Sequence, residues 1–481
     1  MELNVKMVIA GEHVDSSDGK KIASINPATN EVVGYFPAAT KEDCDRALHA
    51  AQLGKKEWAA KSINERAAIM LKFADLLEKN LKELALLQCQ EMGKPIATCE
   101  KEISGAVSNC REYAKGGLFL KSEFIPDFGA ANGDPGTIAF SVRQPLGVCL
   151  LIAPFNAPTS CTIHKAVPAL MAGNAIIMKP PSDVALTVTR SMELLLEAGV
   201  PGNAAQIVTG SGGTIGKYLI ETPLVDCVSL TGSTEVGIEI CRQSAPYMHR
   251  LVMELGGNDP VLVFEDANLD YAVSQTFLRV VNTGQMCIAP KRWIVQNSIK
   301  EQFTQKVKAL YENMKVGDPM DRSMMVGTVI SEKAAKEIEE QVNLTIAQGA
   351  KLLVGGKRNG AYYSPTVLTN VTKDMDIAKD MEIFGPVLPI IGFDTEEEAI
   401  AIANQSKYGL SAGVITEDYK KGLRVAWKVE SGGVQVNGES AYRNTNVPFG
   451  GMKMSGLGRE GTKECIEHFT ELKSIILKDV K

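Results

Sequence analysis

Val228-Ser229-Leu230-Thr231-Gly232-Ser233-Thr234-Glu235-Val236-Gly237 reads as a short apolar strand that passes through Gly-Ser into a helix. The same texture continues on both sides of it. Apolar runs occur at 148–153, 175–178, 206–208, 227–230 and 261–264, and helical stretches such as 183–198 and 235–243 separate them. A strand that is apolar at consecutive positions is buried on both faces, and strand–helix alternation sets such strands side by side and parallel. This region therefore predicts a doubly wound α/β sheet. A second alternating region, 292–437, carries runs at 293–295, 387–392 and 412–415 with a helix over 332–348, and predicts a second sheet of the same kind.

The flanks differ from these two regions. Residues 1–40 read as short strands and turns. Over 41–92 the pattern turns helical, with a stripe of Ile69, Phe73, Leu76, Leu77, Leu81, Leu84 and Leu87 at spacings of three and four. Gly93 and Pro95 stop it. This stripe is core packing. Residues 124–142 are polar and turn-rich, with Asn132-Gly133-Asp134-Pro135-Gly136 at their centre, and predict a protruding hairpin. Residues 469–477 form one more strand.

At 481 residues the chain is too long for one ordinary core. Its 45% hydrophobic and 22% charged residues are ordinary globular usage. A net charge of −6 with no long basic run argues against nucleic-acid and anionic-membrane partners. The ten cysteines are scattered without Cys-x-x-Cys, which predicts reduced thiols and a cytoplasmic location. Five histidines without His-Glu-x-x-His give a metal site no support. The N-terminus lacks the apolar core of a signal peptide, and no apolar run is long enough for a membrane span.

Two segments carry chemistry. Cys287 lies in Val281-Asn282-Thr283-Gly284-Gln285-Met286-Cys287-Ile288-Ala289-Pro290, whose glycine, glutamine and proline do not read as a core helix. Upstream, Met253-Glu254-Leu255-Gly256-Gly257-Asn258 sets a carboxylate beside a glycine pair. A thiolate attacks a carbonyl carbon, and a carboxylate activates the water that later releases the acyl group. On these motifs the chain resembles the NAD(P)-dependent aldehyde dehydrogenase superfamily over nearly its whole length. The resemblance implies oxidation of a small-molecule aldehyde to a carboxylic acid, with Cys287 as nucleophile, Glu254 as base and NAD or NADP as cofactor. Acylating relatives that pass the acyl group to coenzyme A typically lack the glutamate, so Glu254 favours hydrolysis.

The remaining candidates follow. Gly232 and Ser233 open a helix whose N–H groups suit a diphosphate. Lys179, after the strand at 175–178, sits where parallel sheets bind ligands. By resemblance it contacts the adenosine ribose, and Ser182 stands where NAD-preferring members commonly carry Glu. That departure opens the site to NADP. Asn156, in Pro154-Phe155-Asn156-Ala157-Pro158, either donates to an oxyanion or caps the helix at 159–171. By resemblance Glu382 binds the nicotinamide ribose and Phe384 flanks the nicotinamide. Arg443 either clamps an acidic group on the substrate or forms a salt bridge at a subunit surface. A Gly-x-Gly-x-x-Gly at Gly456-Leu457-Gly458-Arg459-Glu460-Gly461 follows a loop rather than a strand, so it is no dinucleotide fingerprint.

The expected organisation is a dinucleotide-binding domain of residues 1–123 and 143–253, a catalytic domain of 254–447, and an oligomerisation arm of 124–142 and 463–481. By resemblance the arm extends a neighbour's sheet in a homodimer or homotetramer; physics alone equally allows an edge pair within one subunit. Two other classes compete with the dehydrogenase reading. A thiol hydrolase would need no nicotinamide, which the Gly232-Ser233 and Glu382-x-Phe384 motifs oppose. A catalytically silent binding protein would have lost Cys287 or Glu254.

Overall fold

The computed structural model describes residues 3–125 and 136–480. An eight-stranded sheet runs in the order Gly456–Leu457, Arg250–Glu254, Cys227–Thr231, Val148–Ile152, Ala175–Lys179, Ala205–Ile207, Met7–Ile9, Glu12–Val14. Its five central strands are mutually parallel, and the outer pairings are antiparallel. From Val148–Ile152 the chain winds outward through Ala175–Lys179 to Ala205–Ile207, then returns to the other side with Cys227–Thr231. The order therefore reverses between Val148–Ile152 and Cys227–Thr231. A crevice opens at the carboxyl ends of strands at such a reversal, and ligands settle there.

A seven-stranded sheet follows, in the order Lys351–Val354, Thr366–Val371, Val387–Phe393, Arg292–Gln296, Pro260–Val263, Ser411–Ile415, Gly433–Val436. Every neighbouring pair is parallel except the one made by Lys351–Val354. Helices cover both sheets and bury separate apolar clusters on them. The expected α/β class with two doubly wound sheets is observed.

Two expectations are corrected. The apolar run at 261–264 belongs to the second sheet, not the first, because Val261–Val263 pair with Trp293–Val295 and Gly413–Ile415. The first sheet takes Arg250–Glu254 instead, a strand hidden in the sequence by its charged ends. The apolar stripe from Ile69 to Leu87 spans two helices, Ile63–Lys79 and Leu81–Met92, which break at Asn80. Asn80 leaves helical geometry there and its side-chain amide donates to Leu76 O at 2.7 Å. The stripe still faces the core, with Phe73, Leu77 and Leu84 fully buried. Gly93 ends the second helix in left-handed geometry at φ 69°.

The glycine motif at 456–461 has a structural task. Gly456–Leu457 pairs antiparallel with the end of Arg250–Glu254. A Cβ on Gly456 would stand 2.1 Å from Met253 O, so only glycine allows the approach. Phe124–Ile125 and Ile138–Pro145 pair as the expected hairpin, whose tip at 126–135 lies outside the described residues. Thr470–Leu477 pairs along the full length of Ile138–Pro145 and leaves its own outer edge open.

Candidate active site

A groove of about 880 Å³ runs along the reversal point of the first sheet. Its walls include Asn156, Gly232, Ser233, Glu382, Phe384 and Cys287. Asn156 follows the strand Val148–Ile152, while Gly232 and Ser233 follow Cys227–Thr231, so the two walls are the loops that open at the reversal. Ser233 caps the helix Thr234–Ser244, accepting from Val236 N at 3.3 Å. An eleven-residue helix start facing the groove suits a diphosphate. Phe155 and Phe384 meet edge to face at 6.0 Å, which gives the groove a flat apolar end. Helix start, ring-lined slot and nearby carboxylate together fit a dinucleotide.

Cys287 lies between the turn Val281–Gly284 and the strand Arg292–Gln296. That turn holds three successive residues in left-handed geometry, Asn282 and Thr283 at φ 52° and Gly284 at φ 75°. Such strain in side-chain-bearing residues persists only where surroundings over-determine it. Here they do. Asn282 Nδ2 donates to Asn156 O at 2.8 Å and to Gln285 O at 3.1 Å. The fully buried Arg279 donates to Gly284 O, Ile383 O and Val387 O. A Cβ on Gly284 would stand 2.2 Å from Gly385 O, so the cysteine loop is pressed onto the Glu382-to-Pro386 turn.

Eight of the ten cysteines are buried; Cys287 and Cys241 are half-buried, and only Cys287 opens on the groove. Burial pushes its thiol up to about 12, while Lys291 and then Arg443 oppose that rise. Asn156 does not cap a helix. The cap position of Pro158–Met171 is Ala157, without a side-chain bond, and Asn156 Nδ2 donates to Gln285 O at 3.0 Å. Its amide therefore reaches the loop two residues before Cys287.

Glu254 ends its strand, is 4% exposed, and neither carboxylate oxygen has a hydrogen-bond partner. Burial, reinforced by Glu460, lifts its carboxyl well above the usual range, against Arg443, Lys165 and Arg459. Gly450 leaves room for it, since a Cβ there would come 2.9 Å from Glu254 Oε1. Behind it Glu460 takes Arg443 as its ion-pair partner and lies 3.6 Å from Lys165 Nζ. Arg443 also stacks its guanidinium over Phe449 at 4.1 Å. The bridge weighed for Arg443 thus exists, but inside one chain.

Lys179 is buried, with Nζ donating to Pro180 O at 2.8 Å, and burial lowers its pKa to about 8. Ser182 is half-buried. Its Oγ turns to Gly210 O at 3.3 Å, and its neighbours Pro181 and Asp183 line the wall. A carboxyl, that of Asp183, thus stands in the groove wall beside Ser182, and burial raises it.

Sequence reasoning missed Lys291, Arg279 and Arg292. Arg292 is fully buried and donates to Asn258 O, Ala378 O, Ile402 O and Ala403 O. The available signal was Lys291-Arg292 directly before a buried strand, since charges at such a place need partners.

Comparison with known proteins agrees with this geometry. The model of the "Aldehyde dehydrogenase family" matches residues 13–475. The chain is 37% identical over 459 residues to the 3-sulfolactaldehyde dehydrogenase of Priestia megaterium, covering 95% of each chain. It is 38% identical to the betaine aldehyde dehydrogenase of Rhizobium etli, covering 97% of this chain and 96% of that one. The NADP-dependent glyceraldehyde-3-phosphate dehydrogenase of Bacillus halodurans, solved with NADP, superposes with a TM-score of 0.96 at 35% identity, covering 99% of this chain and 100% of that one. The chain belongs to the aldehyde dehydrogenase family and is an oxidoreductase that acts on aldehydes with NAD or NADP.

Proposed function

We propose that the protein oxidises an aldehyde to the free acid through a thioester on Cys287. The observation that carries this reading is the pairing of a groove-facing Cys287 with a buried Glu254 whose two oxygens have no partner. The Cys287 thiol gives its proton to Glu254 or to solvent, and the resulting thiolate attacks the aldehyde carbon. The Asn156 amide and the Cys287 N–H hold the resulting oxyanion. NAD or NADP held in the groove would supply the hydride acceptor that turns the adduct on Cys287 into a thioester. Glu254 takes a proton from water, which attacks the thioester and releases acid and thiol. Gly232 and Ser233 would hold the diphosphate, Lys179 the adenosine ribose, Glu382 the nicotinamide ribose, and Phe384 the ring. Lys179, Gly232 and Ser233 thus fall in the dinucleotide-binding domain, 1–123 and 143–253, while Cys287, Glu254, Glu382 and Phe384 fall in the catalytic domain, 254–447.

The test mixes protein, cofactor and a short aldehyde and follows reduced-nicotinamide absorbance. Cys287→Ala should give none. Cofactor reduction by that variant would defeat the reading. A thiol hydrolase without redox chemistry would instead release acid with no change in absorbance.

Arg443 acts on both Cys287 and Glu254 while paired with Glu460, and this supports an aldehyde carrying an acidic group, such as a semialdehyde or a small hydroxyaldehyde. Arg443→Gln should raise KM for acidic aldehydes more than for neutral ones; equal effects on both would remove Arg443 from recognition. Self-association is supported by sheet edges that pair with no further strand among the described residues, Thr470–Leu477 and Gly433–Val436 among them, with Leu472 and Ile476 exposed. The assembly is a homodimer or a dimer of dimers in the cytoplasm, and a monomeric mass by light scattering would contradict it.

A further inference from the structure

Lys291 has no part in the chemistry above, yet it is a lysine only 2% exposed in the wall between two functional loops. Its Nζ donates to the carbonyl oxygen of Cys287 and lies 3.2 Å from Glu382 Oε1. The same carboxylate oxygen accepts from Gly257 N at 3.3 Å. Lys291 N donates to Asp259 O at 3.1 Å, which fixes where the side chain starts. A buried ammonium is costly unless charge and hydrogen bonds satisfy it. Arg292 already ties the start of the next strand to four carbonyls. Lys291 is not needed for that task. Its two acceptors come from two segments that must act together, the cysteine loop and the Glu382 turn.

We propose that Lys291 is a positioning residue that couples cofactor binding to the nucleophile, its ammonium joining the Cys287 carbonyl and the Glu382 carboxylate into one unit. When a ribose engages Glu382, the pull on the ammonium changes, and with it the position and field at Cys287. This inference rests on the proposed roles of Cys287 and Glu382. The charged groups that face the thiol are Lys291 and Arg443 on the positive side and Glu254 and Asp259 on the negative side. Lys291 is the largest of the opposing influences.

The test uses the full-length enzyme and measures iodoacetamide alkylation of Cys287, read on its own peptide by mass spectrometry, against pH and with or without NAD or NADP. Lys291→Gln should move the alkylation midpoint up by about one pH unit, because an opposite charge is removed. It should also abolish the effect of cofactor on the alkylation rate, and lower kcat/KM by about 10- to 100-fold with a raised cofactor KM. Lys291→Arg keeps the charge and should restore the midpoint. Glu382→Gln leaves the ammonium without its counter-charge and should move the midpoint down, a sign that a merely structural clamp does not produce. That variant also keeps the test decisive if Lys291→Gln does not fold. A wild-type midpoint and cofactor effect in Lys291→Gln, or an unmoved midpoint in Glu382→Gln, overturns the proposal. A wild type that reduces no cofactor with any aldehyde would instead overturn the reading of the site itself.

Discussion

Glu91 and Glu254 are the same residue type, buried to almost the same degree, in opposite circumstances. Glu91, near the end of Leu81–Met92, is saturated. Its Oε1 accepts from Ser24 Oγ at 2.8 Å and Leu186 N at 3.0 Å, and its Oε2 from Thr187 N at 2.8 Å and Thr187 Oγ1 at 2.6 Å. It binds an N-terminal strand and the first turn of Ala185–Ala198 to its own helix, where the helix dipole also favours negative charge. Glu254 has no donor at either oxygen. Burial raises both carboxyls, but only Glu91 has four donors pulling it back. Buried polar groups are nearly always satisfied, and Glu254 is the one buried carboxyl with both oxygens unpartnered among the described residues. A buried carboxylate is structural when its neighbours point at it and chemical when they leave room.

The most damaging result for this contrast would be a fully active Glu254→Gln. The loss of turnover should be about 10²- to 10⁴-fold, as for removal of a general base, while a first-turnover burst of reduced cofactor survives. Rapid-mix absorbance separates the two phases, and the thermal midpoint should not fall because no bond is lost. Glu91→Ala should do the reverse. It strands four donors, so stability should drop by about 2–4 kcal/mol while turnover of the remaining folded protein is unchanged. Chemical denaturation with activity assays on the folded fraction checks both halves.

The pH dependence sharpens the comparison. Burial lifts the Glu91 carboxyl from 4.5 to about 7 in the folded protein. A carboxyl raised in this way stabilises fully below its unfolded value and loses that contribution as pH rises through the folded one. Wild-type stability should therefore carry a decline of up to about 3 kcal/mol between these values that Glu91→Gln lacks. For Glu254 the same upward shift appears in catalysis: thioester hydrolysis should rise with pH through a value well above 4.5, and Glu254→Gln should lose that limb. A shared acid limb would place the base elsewhere.

The smallest effect concerns the proposed adenosine corner, where Asp183 lines the groove beside Ser182. Asp183→Asn should favour NADP by no more than about tenfold in kcat/KM, about 1.4 kcal/mol, through relief of like-charge repulsion. Ser182→Glu should move preference toward NAD only if its longer side chain escapes the Gly210 carbonyl. Paired saturation curves for both cofactors decide between the two positions.

The α/β class was legible because strands buried on both faces are apolar at every position, and that pattern needs no tertiary knowledge. Cys287 was legible as a thiol in a segment that does not read as a core helix, and Glu254 as a carboxylate beside a glycine pair. Sheet membership was not, since the run at 261–264 looks like its neighbours and only pairing assigns it to the second sheet. Asn156 shows a similar limit. Locally it is a good helix cap, but the observed cap is Ala157, and the amide is turned to Gln285, 129 residues away. Ser182 and Asp183 differ by one position, and which of them lines the groove depends on the turn they share. By itself the sequence determined the kinds of element and the reactive groups, because periodicity and side-chain chemistry are local. Only the tertiary structure decided that Glu254 would be without donors, that Arg443 would face Glu460, and that Lys291 would join two loops. Satisfaction of a buried charge depends on partners brought together from distant parts of the chain.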